Sequence, residues 1–278
     1  MPSEVFATGL LEGRVALVTG GGTGLGRAAA AELVACGAQV VIAGRRDEVV
    51  QRTAQEIGGA AVAGDIREAS GAKRIVSFVL ERHGRLDVLV NNAGGQYFVA
   101  AEAIEAKGWR AVMRLNVGGT LRMSELVAER AMRPAGGGTI INVTLSPHHG
   151  LAGMTHSSAA RAAVEAMTRE HAERWAPDGI AVVAVAAGHF DTQSLRKYPE
   201  VVWRAAAQAV PLQRLGREAE HAWLVALAAS PLGRELSGSV VTLDGARDNW
   251  FGPWPPGGLG GDGGEVPTEQ RRERPITS

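Results

Sequence analysis

The stretch RVALVTGGGTGLG, residues 14–26, decides the fold of this chain. Its apolar, β-branched beginning predicts a short buried strand. The glycines that follow predict a tight turn, and the alanine-rich residues 27–37 predict a helix that stops at a glycine. A strand, a glycine-rich turn and a helix in this order are typical of an α/β fold.

The same alternation continues along the chain. Further strands are predicted at residues 39–43, 61–63, 86–90, 139–143, 180–186 and 239–243, and further helices at 47–57, 70–83, 109–133, 157–175 and 218–229. The strands are continuous apolar runs, as burial by helices on both faces requires. The sequence therefore predicts a Rossmann-type, doubly wound parallel sheet of about seven strands in a single domain, residues 1–251. Residues 252–278 are rich in Gly and Pro, and we expect a mobile tail there.

Composition limits the possible partners. The 278 residues carry 29 basic and 29 acidic side chains, and this zero balance argues against nucleic-acid or anionic-membrane binding. The single cysteine, Cys36, excludes an internal disulfide and a cysteine-based zinc cluster. No apolar run is long enough to span a bilayer, and residues 1–13 lack the features of a secretory signal. We therefore expect a cytoplasmic protein that acts on a small molecule.

The glycine-rich turn predicts a phosphate site. Glycines let the backbone approach a pyrophosphate, and the N-terminus of the following helix offers it N–H groups and a positive dipole. A glycine-rich turn can also connect two elements without binding a ligand, but its position between a strand and a helix favours a dinucleotide site. The expected contacts are Gly20, Thr23, Gly24, Leu25 and Gly26.

The end of the second strand indicates which dinucleotide is bound. An acidic residue there would favour NAD, but this chain has Gly44 followed by Arg45 and Arg46. A guanidinium at this place can pair with a 2′-phosphate and stack on adenine. We therefore predict NADP(H); the alternative is a solvated pair of arginines that caps the strand.

Five motifs in this order resemble the short-chain dehydrogenase/reductase family, over about residues 12–248. They are Thr19-Gly20-x-x-x-Gly24-x-Gly26, Asp65 after the third strand, Asn91-Asn92-Ala93-Gly94, Asn116 in a long helix, and Gly188-x-x-x-Thr192. The resemblance implies that Asp65 contacts the adenine amino group, that Asn91 contacts the adenosine-side ribose, and that Gly188 and Thr192 lie by the nicotinamide. The predicted cofactor contacts also include Ile66, Asn92, Ala93 and Gly94.

The same resemblance implies a homo-oligomer, a dimer or a tetramer, formed through the helices that begin near Asn116 and Ser157. Ala187 stands where the family usually has a proline before Gly188, so we expect a less constrained turn there. A closer similarity, in residues 92–97, 101–102, 107–109, 156–164 and 248–250, is to the peroxisomal trans-2-enoyl-CoA reductase and 2,4-dienoyl-CoA reductase branch and to citronellol-dehydrogenase-like proteins.

The pattern departs from the family at the catalytic pair. Where members carry Tyr-x-x-x-Lys, this chain has Ser157-x-x-x-Arg161, and the upstream serine position falls on Leu145 between Thr144 and Ser146. A serine hydroxyl is a much weaker acid than a phenol, so Ser157 is a poor general acid, although it can donate a hydrogen bond. Arg161 stays charged and can bind the nicotinamide ribose.

This departure favours the reduction of a conjugated C=C bond. Such a reduction needs donors that stabilise an enolate oxygen more than it needs an acid on that oxygen. The predicted catalytic residues are Asn116, Ser157, Arg161 and His156. Two alternatives stay open: an alcohol or ketone oxidoreductase acting on a terpenoid or secondary metabolite, and a non-redox enzyme or nucleotide-binding scaffold.

Three histidines lie close together in the sequence, at positions 148, 149 and 156. A metal site is disfavoured because no carboxylate accompanies them at a recognisable ligand spacing. We expect His148 and His149 to line the substrate pocket; for His156 a structural role competes with a catalytic one. Arg196, Lys197 and Tyr198 fall in a loop expected to cover substrate, where they would meet CoA phosphates or simply be solvated, and Trp203 is expected to pack or to join a lid.

Overall fold

A computed structural model describes residues 2–146, 148–151, 153–198 and 200–249 of the chain. Within these residues the sequence folds into alternating strands and helices. The strands are β1 (Val15–Thr19), β2 (Gln39–Gly44), β3 (Ala60–Ala63), β4 (Val88–Asn91), β5 (Gly138–Leu145), β6 (Ile180–Ala187) and β7 (Val240–Leu243). The α-helices are α1 (Gly24–Ala35), α2 (Asp47–Ile57), α3 (Ala69–His83), α4 (Ala106–Met113), α5 (Thr120–Val127), α6 (Thr155–Trp175), α7 (Glu200–Gln208) and α8 (Glu218–Ala229).

All seven strands lie parallel in one sheet, in the order β3-β2-β1-β4-β5-β6-β7. The chain runs outward from β1 to the β3 edge and then returns to place β4 on the other side of β1. This reversal opens a crevice at the carboxyl ends of β1 and β4, where open α/β sheets bind their ligands. The predicted doubly wound parallel sheet of seven strands is confirmed.

The central strands bury both of their faces, whereas β7 at the edge of the sheet is only partly buried. In β1, Ala16 and Val18 pack with α1 and α8, whereas Val15 and Leu17 pack with α3, α5 and α6. Side chains of successive strand residues point to opposite faces, so helices on both sides remove every position of β1, β4 and β6 from water. This arrangement explains the continuous apolar runs in the sequence.

The predicted helix at residues 109–133 is interrupted. α4 and α5 are joined by a π-helical turn, Arg114–Gly119, and a second π-helical turn, Ala128–Met132, follows α5. In the first turn Nδ2 of Asn116 donates to the carbonyl oxygens of Val112 and Gly95, both at 2.9 Å. A side chain that competes for the helical carbonyl loosens the regular ladder, and such bulges are frequent at functional sites.

No helix in the described part of the chain has both the length and the apolar character needed to cross a membrane. The tail predicted at residues 252–278 lies outside the described residues.

Candidate active site

A cleft of about 1300 Å³ runs along the carboxyl edge of the sheet. Ligand pockets for single small molecules measure about 300–1,000 Å³. The cleft therefore has room for a dinucleotide and for a second molecule beside it.

The glycine-rich turn forms one end of this cleft. Gly20, Thr23, Gly24, Leu25 and Gly26 all line it, as predicted from the sequence. A Cβ atom at position 26 would collide with Nδ2 of Asn92 and with the carbonyl oxygen of Gly20. Only glycine therefore lets α1 begin this close to the end of β1, which is the cradle that a pyrophosphate needs.

The end of the cleft where the sequence predicts adenosine carries the two arginines. Arg45 and Arg46 are exposed and line the cleft just beyond β2. Asp65 and Ile66 line it beyond β3, and the carboxylate of Asp65 pairs with the guanidinium of Arg67 at 2.6 Å. Hydrogen bonds from Arg67 hold the pKa of Asp65 below its usual value. This end therefore offers an approaching anion more positive charge than negative charge.

The loop after β4 connects the turn to the centre of the cleft. Nδ2 of Asn92 donates to the carbonyl oxygens of Thr19 at 3.0 Å and Gly20 at 3.2 Å, and Asn92, Ala93 and Gly94 line the cleft. Asn91, expected at the ribose, is 3% exposed, and its Nδ2 donates instead to Ser124 and Asn142. Its amide therefore braces the sheet and lines no part of the cleft.

Arg161 brings a positive charge to the centre of the cleft. Its Nη1 donates to the carbonyl oxygen of Val143 at 2.7 Å, and a Cβ at Gly94 would collide with its Nη2. Desolvation lowers the pKa of Arg161 to about 10, so the guanidinium remains protonated at neutral pH. Among the described residues no carboxylate pairs with it. An oxyanion or a ribose hydroxyl in the cleft would meet this charge at low dielectric.

Ser157 lies behind the wall of the cleft. The serine is fully buried, and its hydroxyl donates a hydrogen bond to Oε1 of Gln96 at 2.8 Å. Gln96 is exposed and does line the cleft. Sequence reasoning did not select Gln96 as a site residue, because nothing in the sequence indicates that a loop amide after β4 reaches α6.

Asn116 and His156 also lie outside the lining of the cleft. Asn116 is fully buried, and its Oδ1 accepts a hydrogen bond from the N–H of Gly95 at 3.2 Å. His156 is fully buried against the edge of the Tyr97 ring, with the ring centroids 4.5 Å apart, and desolvation lowers its pKa. Both residues thus support the loop 95–97 from behind.

The two histidines before α6 have different surroundings, although both rings lie near the carboxylate of Asp248, at 3.8 Å for Nε2 of His148 and 3.6 Å for Nδ1 of His149. His149 lines the cleft, whereas both carboxylate oxygens of Glu165 lie 3.0 Å from Nδ1 of His148. His148 therefore links its loop to α6. In the described part of the chain, no group of three or more His, Cys, Asp or Glu side chains is arranged to hold a metal ion.

The β6 end completes the cofactor side. Gly188 and Thr192 line the cleft, and the N–H of Gly188 donates to the carbonyl oxygen of Leu243 at 3.0 Å. Ala187, in the place of the usual proline, is paired with both Leu145 and Leu243. The strand is therefore regular up to Ala187, and the turn begins only after it.

The remaining wall is mostly apolar and comes from the loops around residues 95–98 and 192–198 and from α7. Phe98 and Tyr198 contact each other edge to face across the cleft, with centroids 5.6 Å apart. Of the residues expected to cover substrate, Tyr198 lines the cleft, whereas Arg196 and Trp203 line a separate shallow pocket on the other side of α7. His189 and Arg247 also line the cleft, next to the ends of β6 and β7. Both residues could have been predicted from the sequence, because ligands of such sheets bind at the carboxyl ends of the strands and His189 and Arg247 follow two of these ends.

Comparisons with known proteins identify the family of this chain. The family model described as short chain dehydrogenase matches residues 14–202. The peroxisomal 2,4-dienoyl-CoA reductase of Pongo abelii is 34% identical over 252 residues, 87% of this chain and 86% of that protein. A probable 2,4-dienoyl-CoA reductase of Bacillus subtilis is 32% identical over 88% of this chain and its full length.

Solved structures show the same similarity. A citronellol catabolism dehydrogenase of Pseudomonas aeruginosa PAO1 superposes with a TM-score of 0.79 at 37% identity, over 89% of this chain and all of that one. A Pseudomonas aeruginosa RhlG, solved as an NADP active-site complex, gives 0.81 at 29% identity, over 87% of this chain and all of that one. The chain belongs to the short-chain dehydrogenase family and, within it, to the branch of the 2,4-dienoyl-CoA reductases.

Proposed function

We propose that this protein uses NADP(H) to reduce the C=C bond of an α,β-unsaturated (enoyl) thioester or a related conjugated carbonyl. The observation that carries the proposal is the set of donors at the centre of the cleft. Arg161 and Gln96 line it, while the hydroxyl of Ser157 is turned to Gln96. The centre of the cleft can therefore stabilise the carbonyl oxygen of a substrate with hydrogen bonds and a positive charge. It does not place an acidic phenol at position 157.

The choice of NADP(H) rests on the adenosine end of the cleft. The guanidinium groups of Arg45 and Arg46 would meet a 2′-phosphate there, whereas an NAD-type site would place a carboxylate against the ribose hydroxyls. The related RhlG was solved with NADP, which supports the same cofactor here. When bound, NADPH supplies the hydride for the β-carbon of the substrate.

Charge then develops on the carbonyl oxygen of the thioester, and the chain's task is to stabilise it. Arg161 is charged at neutral pH, and the amide of Gln96 supplies N–H donors beside it. A preorganised donor to such an oxyanion typically contributes a factor of about 10²–10³ in rate. The α-carbon must gain one proton to complete the reduction.

The direct test measures oxidation of NADPH with crotonyl-CoA and longer enoyl-CoA or dienoyl-CoA substrates. Turnover that requires conjugation and prefers NADPH over NADH is the expected result. No turnover across a panel of conjugated acyl substrates would refute the proposal. Tight NADPH binding without hydride transfer, even from deuterium-labelled cofactor, would favour the scaffold or non-redox alternative.

A second candidate is the oxidation of a terpenoid alcohol or reduction of its ketone or aldehyde. It is favoured by the similarity to the citronellol catabolism dehydrogenase and by the apolar wall formed by Phe98, Tyr198 and their neighbours. Citronellol with NADP⁺ is the matching assay. Faster turnover of citronellol than of every enoyl thioester would replace the first candidate by the second.

We also propose that the protein works in the cytoplasm as a homo-oligomer, a dimer or a tetramer. The family resemblance supports the assembly. Light scattering on the purified protein measures the oligomer, and a monomer would refute it. Fractionation of the source cell tests the compartment, since several relatives carry peroxisomal names.

A further inference from the structure

We propose that His149 is the proton donor to the substrate, with Asp248 as the residue that positions its ring. The inference rests on the proposed reduction and names the group that delivers the proton to the α-carbon. Among the described residues that line the cleft, few side chains can release a proton near neutral pH. The titratable ones are Arg45, Arg46, Asp65, His149, Arg161, His189, Tyr198 and Arg247.

Most of these groups are unsuitable as donors. Asp65 lies at the adenosine end and is held ionised by Arg67. Desolvation lowers the pKa of His189 to about 4, so this ring is neutral at physiological pH. Arg161 keeps its proton at neutral pH. A phenol, the acidic group of Tyr198, is a weaker acid than an imidazolium. His149 remains, and an imidazole ring is the side chain that most often serves as a general acid in enzymes.

The position of His149 suits this task. It follows the carboxyl end of β5, and Leu151 of the same loop donates its N–H to Oγ of Ser158 at 3.2 Å, which packs the loop on the first turn of α6. The side chain of His149 is 44% exposed, so the ring can recover a proton from solvent after each turnover.

A carboxylate faces the ring of His149. Oδ1 of Asp248 lies 3.6 Å from its Nδ1, and the N–H of His148 donates to the same carboxylate oxygen. The backbone N–H of Asp248 donates to the carboxylate of Asp244 at 2.7 Å, which fixes the backbone at this residue. The other carboxylate oxygen of Asp248 lies 3.8 Å from Nε2 of His148, so both histidines contact this carboxylate. A carboxylate at Nδ1 favours the tautomer with the proton on Nδ1 and orients the ring, as in a catalytic triad, and such contacts are often long without substrate.

The charges around the ring come from several elements. Asp248, Arg247 and His148 belong to the adjoining segments, Arg161 and Glu165 to α6, and His189 to the end of β6. The carboxylate of Asp248, 3.6 Å from Nδ1 of His149, stabilises an imidazolium. In the proposed step the N–H bond at Nε2 breaks, the α-carbon of the enolate takes that proton, and neutral His149 is reprotonated by water.

The first test replaces the ring. His149→Gln should lower kcat for enoyl-thioester reduction about 100-fold with a small change in KM, since general acids contribute about 10²–10⁴. In D₂O the wild type should place deuterium on one face of the α-carbon of a 2-methyl-enoyl thioester, whereas His149→Gln should do so without facial selectivity. The variant should also lose the decline in rate toward alkaline pH. His83→Gln, at the end of α3, is the matched control and should change none of these values.

The second test needs neither cofactor nor turnover. The ¹⁵N chemical shifts of the His149 ring in the unliganded protein at pH 8 should report the Nδ1–H tautomer, and Asp248→Asn should shift the mixture toward Nε2–H. A His149→Gln variant that keeps both the facial selectivity and the alkaline decline would overturn the assignment of the donor. Wild-type protein that reduces no enoyl thioester would refute the proposed function instead, and the tautomer measurement would then decide alone whether the His149–Asp248 pair exists.

Discussion

The hydroxyl of Ser157 donates a hydrogen bond to Oε1 of Gln96 over 2.8 Å, from a fully buried position to an exposed one. The residue at the place of the family's tyrosine therefore reaches the cleft through a second side chain. The bond fixes the oxygen of the Gln96 amide and leaves its NH₂ group able to donate a hydrogen bond.

This relationship predicts unequal effects at the two positions. Gln96→Leu should lower kcat/KM for an enoyl thioester about 10- to 100-fold, because it removes a donor to the developing oxyanion. Ser157→Ala should cost about tenfold or less, since it removes only the bond that orients Gln96. Ser77→Ala, far from the cleft, serves as the control. A Ser157→Ala loss as large as that of Gln96→Leu would mean that Ser157 itself meets the substrate.

The cofactor turn predicts a steric effect. Gly26→Ala should raise the Kd for NADPH at least tenfold and lower Tm, because the new Cβ collides with Asn92 and with the backbone of Gly20. Gly118→Ala is the matched change, since a Cβ there would meet no atom closer than the carbonyl oxygen of Met113 at 4.0 Å, and it should leave the Kd unchanged. Calorimetric titration and thermal unfolding measure both quantities. Equal behaviour of the two variants would contradict the close approach of α1 to β1.

The adenosine end predicts cofactor preference. Arg45→Asp should raise the Kd for NADPH much more than that for NADH, because it removes a cation and adds repulsion to the 2′-phosphate. Arg52→Asp, an exposed charge reversal on α2 that does not line the cleft, should not change the ratio of the two constants. If Arg45→Asp weakens both cofactors equally, the assignment of NADP(H) is wrong.

Replacing Arg161 by an apolar residue should lower the activity but raise the stability of the protein. Its buried Nε has no hydrogen-bond partner among the described residues, and no carboxylate there compensates its charge. Arg161→Met should therefore raise the Tm of the unliganded protein by about 2–4 °C, or about 1 kcal/mol for a chain of this size. The same variant should raise KM for NADPH and lower kcat. A lower Tm with unchanged kinetics would show that Arg161 is structural.

The buried histidines predict a loss of stability in acid. Desolvation lowers the pKa of His221 to about 4, and the residue is fully buried edge-on to Phe190. The unfolded chain takes up this proton near pH 6.5, whereas the folded protein does so only near pH 4. The free energy of unfolding should therefore fall as the pH drops through this window, by about 3 kcal/mol for His221 at its lower end.

His221→Leu should reduce this dependence on pH. His221→Gln, which keeps a polar side chain but does not titrate, should reduce it as well and so separates titration from packing. Urea unfolding at pH 7 and pH 4.5 measures the difference. An unchanged pH dependence in both variants would contradict a neutral His221 in the folded protein.

The sequence by itself determined the sheet and the cofactor end of the cleft. Continuous apolar runs such as residues 15–18 allow only strands covered on both faces, and the glycines from Gly20 to Gly26 allow a close turn into a helix. These are local properties, because each is set by neighbours within a few residues. The helix at residues 109–133 was predicted without its π-helical turns, because the partner of Asn116 is Gly95, 21 residues away.

Only the tertiary structure decided which side chains reach the substrate end. Ser157 and His156 lie behind the wall, Gln96 and His149 lie on it, and Asp248 comes to His149 from 99 residues further along the chain. These placements depend on how loops after different strands meet at one edge of the sheet. Spacing along the sequence carries no information on such contacts, since loop conformation is fixed by packing against distant elements.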